Sequence, residues 1–416
     1  MTLAAPWLNR VPKSWGTRPL AFLVRAISGA TPPKEDLTLW GGTLPWVSPK
    51  DMKIPVIADS EDHVTERALS VSALRLVKPP AVLVVVRGMI LIRTVPVALT
   101  TVPVTLNQDM KALLPSAAVN PGFLAHALRA FNSALLSLVE EAGHGTKKLR
   151  TDLWRRFLLP VPPLATQFAI SSWIDRKTAA IDNLIQKKER LMTLLEEKRQ
   201  ALITQRVTVP SDGTSAWRRT RLGWVLREAH RPVAVEPDRS YAEIGIRSHG
   251  RGVFHKEAVF GRQLEEKKVF WVEPGDLVFN IVFAWERAVA VVSEAERGRI
   301  ASHRFPTYRP IQNLCDVRFL RFLFISDFGR FLLDQNSPGA AGRNRTLDRR
   351  ALMKEEVPLP SVEEQVRLAD LLEREIPRID AGVSALEKQL DFLLEYRQAI
   401  ITAAVTGQLD IPAEAA

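Results

Sequence analysis

A chain of 416 residues, 46% hydrophobic and 25% charged, has material for about two to four folded domains and lacks the compositional marks of disorder. Its net charge of +11 and pI of about 9.9 point to a polyanionic partner, with nucleic acid first among them. The single cysteine, Cys315, excludes an internal disulfide and a thiolate zinc cluster, and it fits a reducing cytoplasm.

The N-terminus, MTLAAPWLNRVPKSW, has no long apolar run behind basic residues, so no signal peptide is expected. Residues 1–14 read as an irregular lead-in. From Trp15 to about Ala142, short apolar runs are broken by Pro and Gly: LPWVSPKDM at 44–52, AVLVVVRG at 81–88, TVPVALTTVPVTL at 94–106. Such runs read as strands. The most apolar of them, AVLVVV at 81–86, is too short to span a bilayer and reads as a buried strand, so no membrane partner is expected. Residues 121–140 keep three-to-four apolar spacing, which predicts a helix.

Next comes GHGTKKLR at 143–150, then a Pro-rich step and a stretch that the chain uses twice. Residues 160–208 and 358–406 align without a gap, with identities at Pro160/Pro358, Pro162/Pro360, Gln167/Gln365, Ile181/Ile379, Asp182/Asp380, Arg199/Arg397, Gln200/Gln398, Ile203/Ile401 and Val207/Val405, among others. An internal repeat of this kind fixes the architecture. The first copy predicts a helix from about Ala165–Gln167 to Arg206, followed by a linker at 208–215. The second half restarts at Trp217. It has alternating segments at 241–254, a turn at Pro274-Gly275 between strands, a second turn near Trp285–Arg287, and a helical patch at 316–335 matching 121–140. The domain boundaries are therefore 1–157, a helix at 158–208, 209–355, and a second helix with its tail at 356–416.

In the second copy, Leu372, Ile376, Ile379, Val383, Leu386, Leu390, Leu393, Arg397, Ile400 and Ala404 follow 4-3 spacing, a coiled-coil seam. The first copy gives Ile174, Thr178, Ile181, Ile185, Lys188, Met192, Leu195, Arg199, Leu202 and Arg206 in the same register. An antiparallel pair buries both seams most economically, and two separate amphipathic helices, each packed on its own domain, are the alternative. Thirty-three residues of seam would span about 50 Å at ~1.5 Å per residue, against about 34 Å for one turn of DNA. Two residues strain this picture. Pro377 is expected to kink or split the second helix. Arg199 and Arg397 sit in the seam, where they either snorkel or pair with a carboxylate such as Glu197 or Glu395 of the facing helix.

Catalytic furniture is missing. There is no HExxH, CxxC, GxxxxGK[ST] or helix-opening GxGxxG. NPGF at 120–123 is the nearest approach to an amino-methyltransferase motif and departs at a key position. SHGRG at 248–252 is not a nucleophile elbow.

The pattern Leu-Pro-x-Pro-x4-Gln, the Ile-Asp pairs, Arg-Gln-Ala-Leu/Ile-Ile-Thr and the Val405-Thr406-Gly407 ending resemble the specificity subunits of type I restriction–modification systems. SGATPP at 28–33, LPWVSPKDM at 44–52, VVVRG at 84–88 and NQDMKAL at 107–113 are similar to the family's first target-recognition domain. IGIRSHGRGVF at 244–254 and PGDLVFN at 274–280 resemble one found in second position. The resemblance covers nearly the whole chain. It implies an α/β fold with two globular target-recognition domains separated by two long antiparallel coiled-coil helices, related by a pseudo-twofold internal repeat. It also implies that each domain reads one half of a split site in double-stranded DNA. The helices would set the gap and dock two adenine-methyltransferase subunits, with endonuclease/translocase subunits completing the complex in the cytoplasm as part of bacterial phage defence. This chain would carry no catalysis, metal or cofactor. S-adenosylmethionine, ATP and magnesium would belong to the partners.

Lys147, Lys148, Arg343 and Arg345, in the basic runs ahead of each helix, are candidates for phosphate contacts, and the repeat aligns Lys147 with Arg345. A solvated loop is the plainer alternative. Arg87 at a strand end, and Arg247 and Arg251 in a Gly-rich segment, are candidates for reading guanine, with Lys50 and Arg93 behind them. For Arg87 an internal ion pair is the competing role. Two other functions stay open: a combined methyltransferase–nuclease component, and a coiled-coil adaptor without a DNA role.

Overall fold

The computed structural model describes residues 9–142, 145–210, 217–264, 267–311, 313–339 and 345–411. Most of the linker, part of the lead-in, and Arg343 lie outside the described residues. The chain packs into two compact units, residues 1–187 with 389–416, and residues 188–388. Sequence boundaries set each long helix apart as an element. Packing instead divides both helices between the units, so each unit holds one globular domain, the start of one helix and the end of the other.

In the first unit, eight strands build two sheets: β1 (Val24–Ser28), β2 (Trp40–Val47), β3 (Val56–Ile57), β4 (His63–Val64), β5 (Ala81–Val85), β6 (Val97–Thr100), β7 (Thr105–Leu106) and β8 (Met110–Pro115). The orders are β1-β8-β5-β6-β3 and β4-β2-β7. Every residue of β5 is buried, because β8 and β6 flank it and Phe123, Leu124, Ala127 and Leu128 of the helix Pro121–Ala130 join the same core. A strand covered on both faces has no use for alternation, which explains the unbroken AVLVV.

The second unit carries β9 (Leu226–Ala229), β10 (Ser240–Ile246), β11 (Val253–Phe260), β12 (Val269–Trp271), β13 (Leu277–Phe279), β14 (Val289–Val291), β15 (Ile300–Ser302) and β16 (Thr307–Pro310). Their orders are β9-β16-β13-β14 and β11-β10-β15-β12. The antiparallel series β1-β8-β5-β6 and β9-β16-β13-β14 correspond strand for strand. The parallel contact of β2 with β7 recurs as that of β10 with β15. The two domains thus share this strand order without in-register identity comparable to that of the helices.

Both helical patches are shorter than their apolar spacing predicts. The first stops at Ala130 and restarts as Asn132–Leu136. The chain then turns into a strand, Val139–Glu141, that pairs with Lys147–Leu149. The second breaks at Ser326, whose Oγ accepts the Gly329 N–H at 3.1 Å and caps a new helix, Asp327–Gln335. NPGF is a helix start: Asn120 Oδ1 accepts the Phe123 N–H at 2.8 Å and Pro121 takes the first turn.

The long helices run Leu164–Thr208 and Val362–Val405. Pro377 does not split the second. Its ring is exposed, and so is Glu373, whose carbonyl loses its helical partner and can turn to water. The predicted seam is the least exposed stripe of both helices. Ile174, Thr178, Ile181, Leu372, Ile376, Leu386 and Ile400 are buried. Ile185, Leu195, Leu202, Ile379, Val383, Leu390 and Leu393 are half-buried. The two helices pair antiparallel within each unit. In the second, Arg199 Nε donates to Asp380 Oδ1 at 2.7 Å. In the first, Arg397 donates to both oxygens of Asp182, at 2.7 and 3.1 Å. The seam arginines therefore meet the aspartates of the repeated Ile-Asp pair, not Glu197 or Glu395.

Two repeated glutamines join helix to domain at each end. Gln167 is fully buried. Its Oε1 accepts the Asn120 N–H at 2.8 Å, and its Nε2 donates to the carbonyls of Pro162 and Ala118. Gln365, also fully buried, accepts the Asp316 N–H at 2.9 Å and donates to the Pro360 carbonyl. Near the other end, Gln200 donates to the Ile325 carbonyl, and Gln398 to the carbonyls of Arg129 and Ala130, at the ends of the matching domain helices. Ile203 and Val207 are buried in the second unit's core, and their repeat partners Ile401 and Val405 in the first.

Replacing Gln167 or Gln365 by Ala strands buried backbone groups, so each variant is expected to lose about 2 kcal/mol. Denaturant unfolding checks this, and a loss within error for both would remove the glutamines from the joint.

Candidate nucleic-acid interface

The basic run ahead of the first long helix is the return strand of a hairpin. Lys147 Nζ is 2.7 Å from Glu141 Oε2, and Lys148 stands opposite Glu140, exposed and without an ion pair among the described residues. The same strand extends the domain: Gly88 N–H donates to the Lys147 carbonyl and Leu149 N–H to the Val86 carbonyl, both at 2.9 Å. This brings Lys147 and Lys148 beside Arg87, which is exposed and lies in the field of Asp109. Burial lowers the Lys111 pKa, and Arg155 and Lys148 push it further down, so cations crowd one another here.

The equivalent junction in the second unit repeats the bond, but its Arg345 faces inward. Leu347 N–H donates to the Ile281 carbonyl at 2.9 Å, as Leu149 does to Val86. Arg345 is spent inside the unit. It donates to the carbonyls of Ser337 and Asp334, pairs with the Asp334 carboxylate at 2.8 Å, and stacks 5.4 Å from the Trp285 ring. Lys50 is similarly committed, to Glu61 at 3.1 Å and Asp62 at 2.9 Å.

The second unit's cations gather in a cleft of about 830 Å³. Its lining alternates Arg199, Arg251, Arg287 and Arg321 with Glu196, Glu197, Asp380 and Glu387, and Arg199 is already paired with Asp380. The loop 248–252 forms one wall. His249 and Gly250 N–H groups donate to the carbonyls of Glu286 and Arg287, and Gly250 is left-handed (φ 67°), with no room for a Cβ against Ile325. Arg251 is exposed. Arg247 is held by the Val253 carbonyl and lies over Phe254. Burial lowers the Arg321 pKa with Arg199 adding to it, and burial and Arg330 lower that of Arg287. Arg199, Arg287 and Arg321 had no local sequence signal, because three distant segments supply them.

In the first unit His126 is buried, with Nε2 at 2.9 Å from Asp175 and Nδ1 unpartnered. Burial lowers its pKa, Asp175 only partly offsets this, and Arg129 and Arg397 lower it further. Burial, with Arg397, likewise brings Arg129 down to about 10. Among the described residues no cluster of His, Cys, Asp and Glu could hold a metal ion, and no helix is long and apolar enough to cross a membrane.

Two domains that share a strand order, each joined to both members of a helix pair, form a duplicated scaffold. Residues 12–193 match the family described as the type I restriction modification DNA specificity domain. The specificity subunit of the Escherichia coli type I restriction enzyme EcoR124I/EcoR124II is 31% identical over 171 residues, 41% of this chain and 42% of that one. The MjaIX specificity subunit of Methanocaldococcus jannaschii is 23% identical over 193 residues, 46% of this chain and 43% of its own length. Each match spans less than half of the relative. In three dimensions, a chain solved in work on complex assembly and conformational transition of the type I R-M system superposes over 96% of this chain and 99% of its own. Its TM-score is 0.71 at 14% identity, a likeness of fold. Residues 12–193 are thus similar to the type I restriction modification DNA specificity domain, and the chain has two globular α/β domains and two long antiparallel helices.

A base whose folded pKa is lowered adds stability that is fully present above its unfolded value, about 6.5 for His, and lost as pH falls from there through the folded value. The first unit is therefore expected to weaken below about pH 6.5. Thermal unfolding across this range should be flatter in His126→Gln than in the wild type, and equal slopes would clear His126 of the effect.

Proposed function

We propose that this chain is the non-catalytic specificity subunit of a type I restriction–modification complex, reading a two-part site in double-stranded DNA. One observation carries the reading: the frame is repeated while the cationic surfaces it presents differ. Two domains of one fold with unlike faces suit the recognition of two unlike half-sites. Lys148, Arg87 and the Lys111–Arg155 group fit phosphate or base contact in the first unit, and Arg251 with its cleft does so in the second. Arg345 and Lys50, already committed internally, serve as supports. Base selection by Arg87, Arg247 or Arg251 would rest on bidentate contact with guanine. Arg343 keeps its place as a phosphate candidate on sequence alone.

The helices supply the other half of the function. Apolar side chains stay exposed on them, among them Phe168, Leu191, Leu194, Phe392 and Tyr396. Such residues suit docking of two adenine-methyltransferase subunits, with the endonuclease/translocase subunits added to the assembly. S-adenosylmethionine, ATP and magnesium then belong to those partners, and the complex works in the cytoplasm. Single-molecule methylation sequencing of host DNA, with and without this chain, tests the proposal. Loss of one split adenine-methylated motif is expected, and methyl transfer by the purified chain alone would refute it.

Lys147→Ala with Lys148→Ala is expected to weaken binding to all sequences alike and to reduce the salt slope by about one to two. Binding isotherms at several salt concentrations measure it, and an unchanged slope moves both lysines off the DNA. We also propose that helix length sets the unread gap. One helical turn inserted after Ile185, matched by one after Leu386, preserves both Arg–Asp pairs. The methylated motif is expected to keep its half-sites and lengthen its spacer. An unaltered spacer would show that the gap is fixed elsewhere.

A further inference from the structure

The turn after β5 carries a feature that reading by cations does not use. Residues Met89–Ile92 form one 3-10 turn, preceded by Gly88 at φ 130°. Met89, Ile90 and Ile92 are 59%, 39% and 56% exposed, whereas Leu91 is 2% exposed and anchors the turn in the core. Three large apolar side chains on one turn are costly to leave in water. Arg87 and Arg93, both exposed, bracket them, and Lys148 stands opposite Arg87 across the isolated bridge between the two strands.

The turn is also braced. Gly88 N–H bonds the Lys147 carbonyl at 2.9 Å, and the N–H groups of Arg93 and Thr94 close on the Ile90 carbonyl. Behind it, Asn132 Oδ1 accepts the Val95 N–H at 3.2 Å while its Nδ2 donates to the Val95 carbonyl at 2.7 Å. The matching turn of the second unit, Ala284–Glu286, differs: Ala284 is buried, and Trp285 is half-buried under Arg345. The apolar projection therefore belongs to the first domain alone.

We infer that Met89 and Ile92 form a wedge that enters the base stack of the duplex and kinks it at the first half-site, with Arg87, Arg93 and Lys148 holding the flanking phosphates. This rests on the DNA-reading function proposed above. Charge selects the occupant: an apolar tip bracketed by cations complements a duplex, whose stacked bases lie between anionic strands. Unstacking is compensated when the wedge is apolar and arrives already ordered, and side chains of the Met and Ile type do this in DNA-bending proteins. The bend would add selectivity at steps the domain does not touch, because pyrimidine–purine steps yield most easily.

The test uses the full chain assembled with its modification subunits on a duplex that contains the methylated motif. One such duplex carries 2-aminopurine in the first half-site, and another carries a dye pair across it for energy transfer. Wild type is expected to raise 2-aminopurine fluorescence and bring the dyes closer. Met89→Ser with Ile92→Ser is expected to abolish both signals and weaken binding about tenfold, with the salt slope unchanged. Met89→Leu with Ile92→Leu keeps an apolar tip and should restore the signals, which separates wedging from misfolding. Distortion that persists in the Ser variant overturns the proposal. A Ser variant that fails to assemble with the modification subunits also overturns it and makes the turn a protein-docking surface. Wild-type binding without any distortion sinks the wedge alone, whereas failure of wild type to retain duplex at low salt sinks DNA reading itself.

Discussion

The crossed pairing of Arg199 with Asp380 and Arg397 with Asp182 sets the register on which the other joints depend. Each pair is only half-buried, so its contribution to stability is small, on the order of 1 kcal/mol or less. Apolar seam residues supply more, about 1.5–3 kcal/mol for each fully buried side chain. Apolar spacing alone tolerates a slip of one heptad along the partner, since the next hydrophobic residue fills the same hole. A bidentate guanidinium–carboxylate pair does not tolerate it, because a slip leaves both charges without partners. With the register set, Gln200 and Gln398 reach the ends of the domain helices, and Ile203 and Ile401 reach the cores.

The repeat made this frame legible before any coordinates. The Pro-x-Pro-x4-Gln spacing marks where a buried glutamine can tie the strand exit to the domain helix. The 4-3 stripe marks the faces that the helices bury. The Ile-Asp and Arg-Gln pairs were visible as identities, but their mutual contact was not. Asp182 and Arg397 are far apart in sequence, and Glu197 and Glu395 were nearer to hand. Pro377 misled because propensity prices the missing hydrogen bond without asking whether water can replace it. At an exposed position water can, and the helix continues.

The domains were less legible. Strand identity came through at Ala81–Val85 and around Pro274-Gly275, where apolar runs and turn residues agree. The common topology did not, because sheet order is set by long-range pairing that leaves few identities in register. The cationic cleft was likewise invisible as a pattern: Arg199, Arg287 and Arg321 come from a long helix, a turn and a domain helix. Helix ends were overestimated where periodicity continued past a cap, at Phe131 and Ser326.

The joint between helix and domain has one more property. Among the described residues, Gln200 and Gln398 reach the domains only through carbonyl oxygens, and the oxygens of Gln167 and Gln365 accept only main-chain N–H groups. A socket that touches peptide groups is blind to the side chains of what it holds. Any domain whose helix begins and ends at the right places can make these bonds, while Ile203 and Ile401 still pack on its core. These main-chain fastenings therefore leave the domain surfaces free to differ, and the two domains are alike in path and largely unlike in residue.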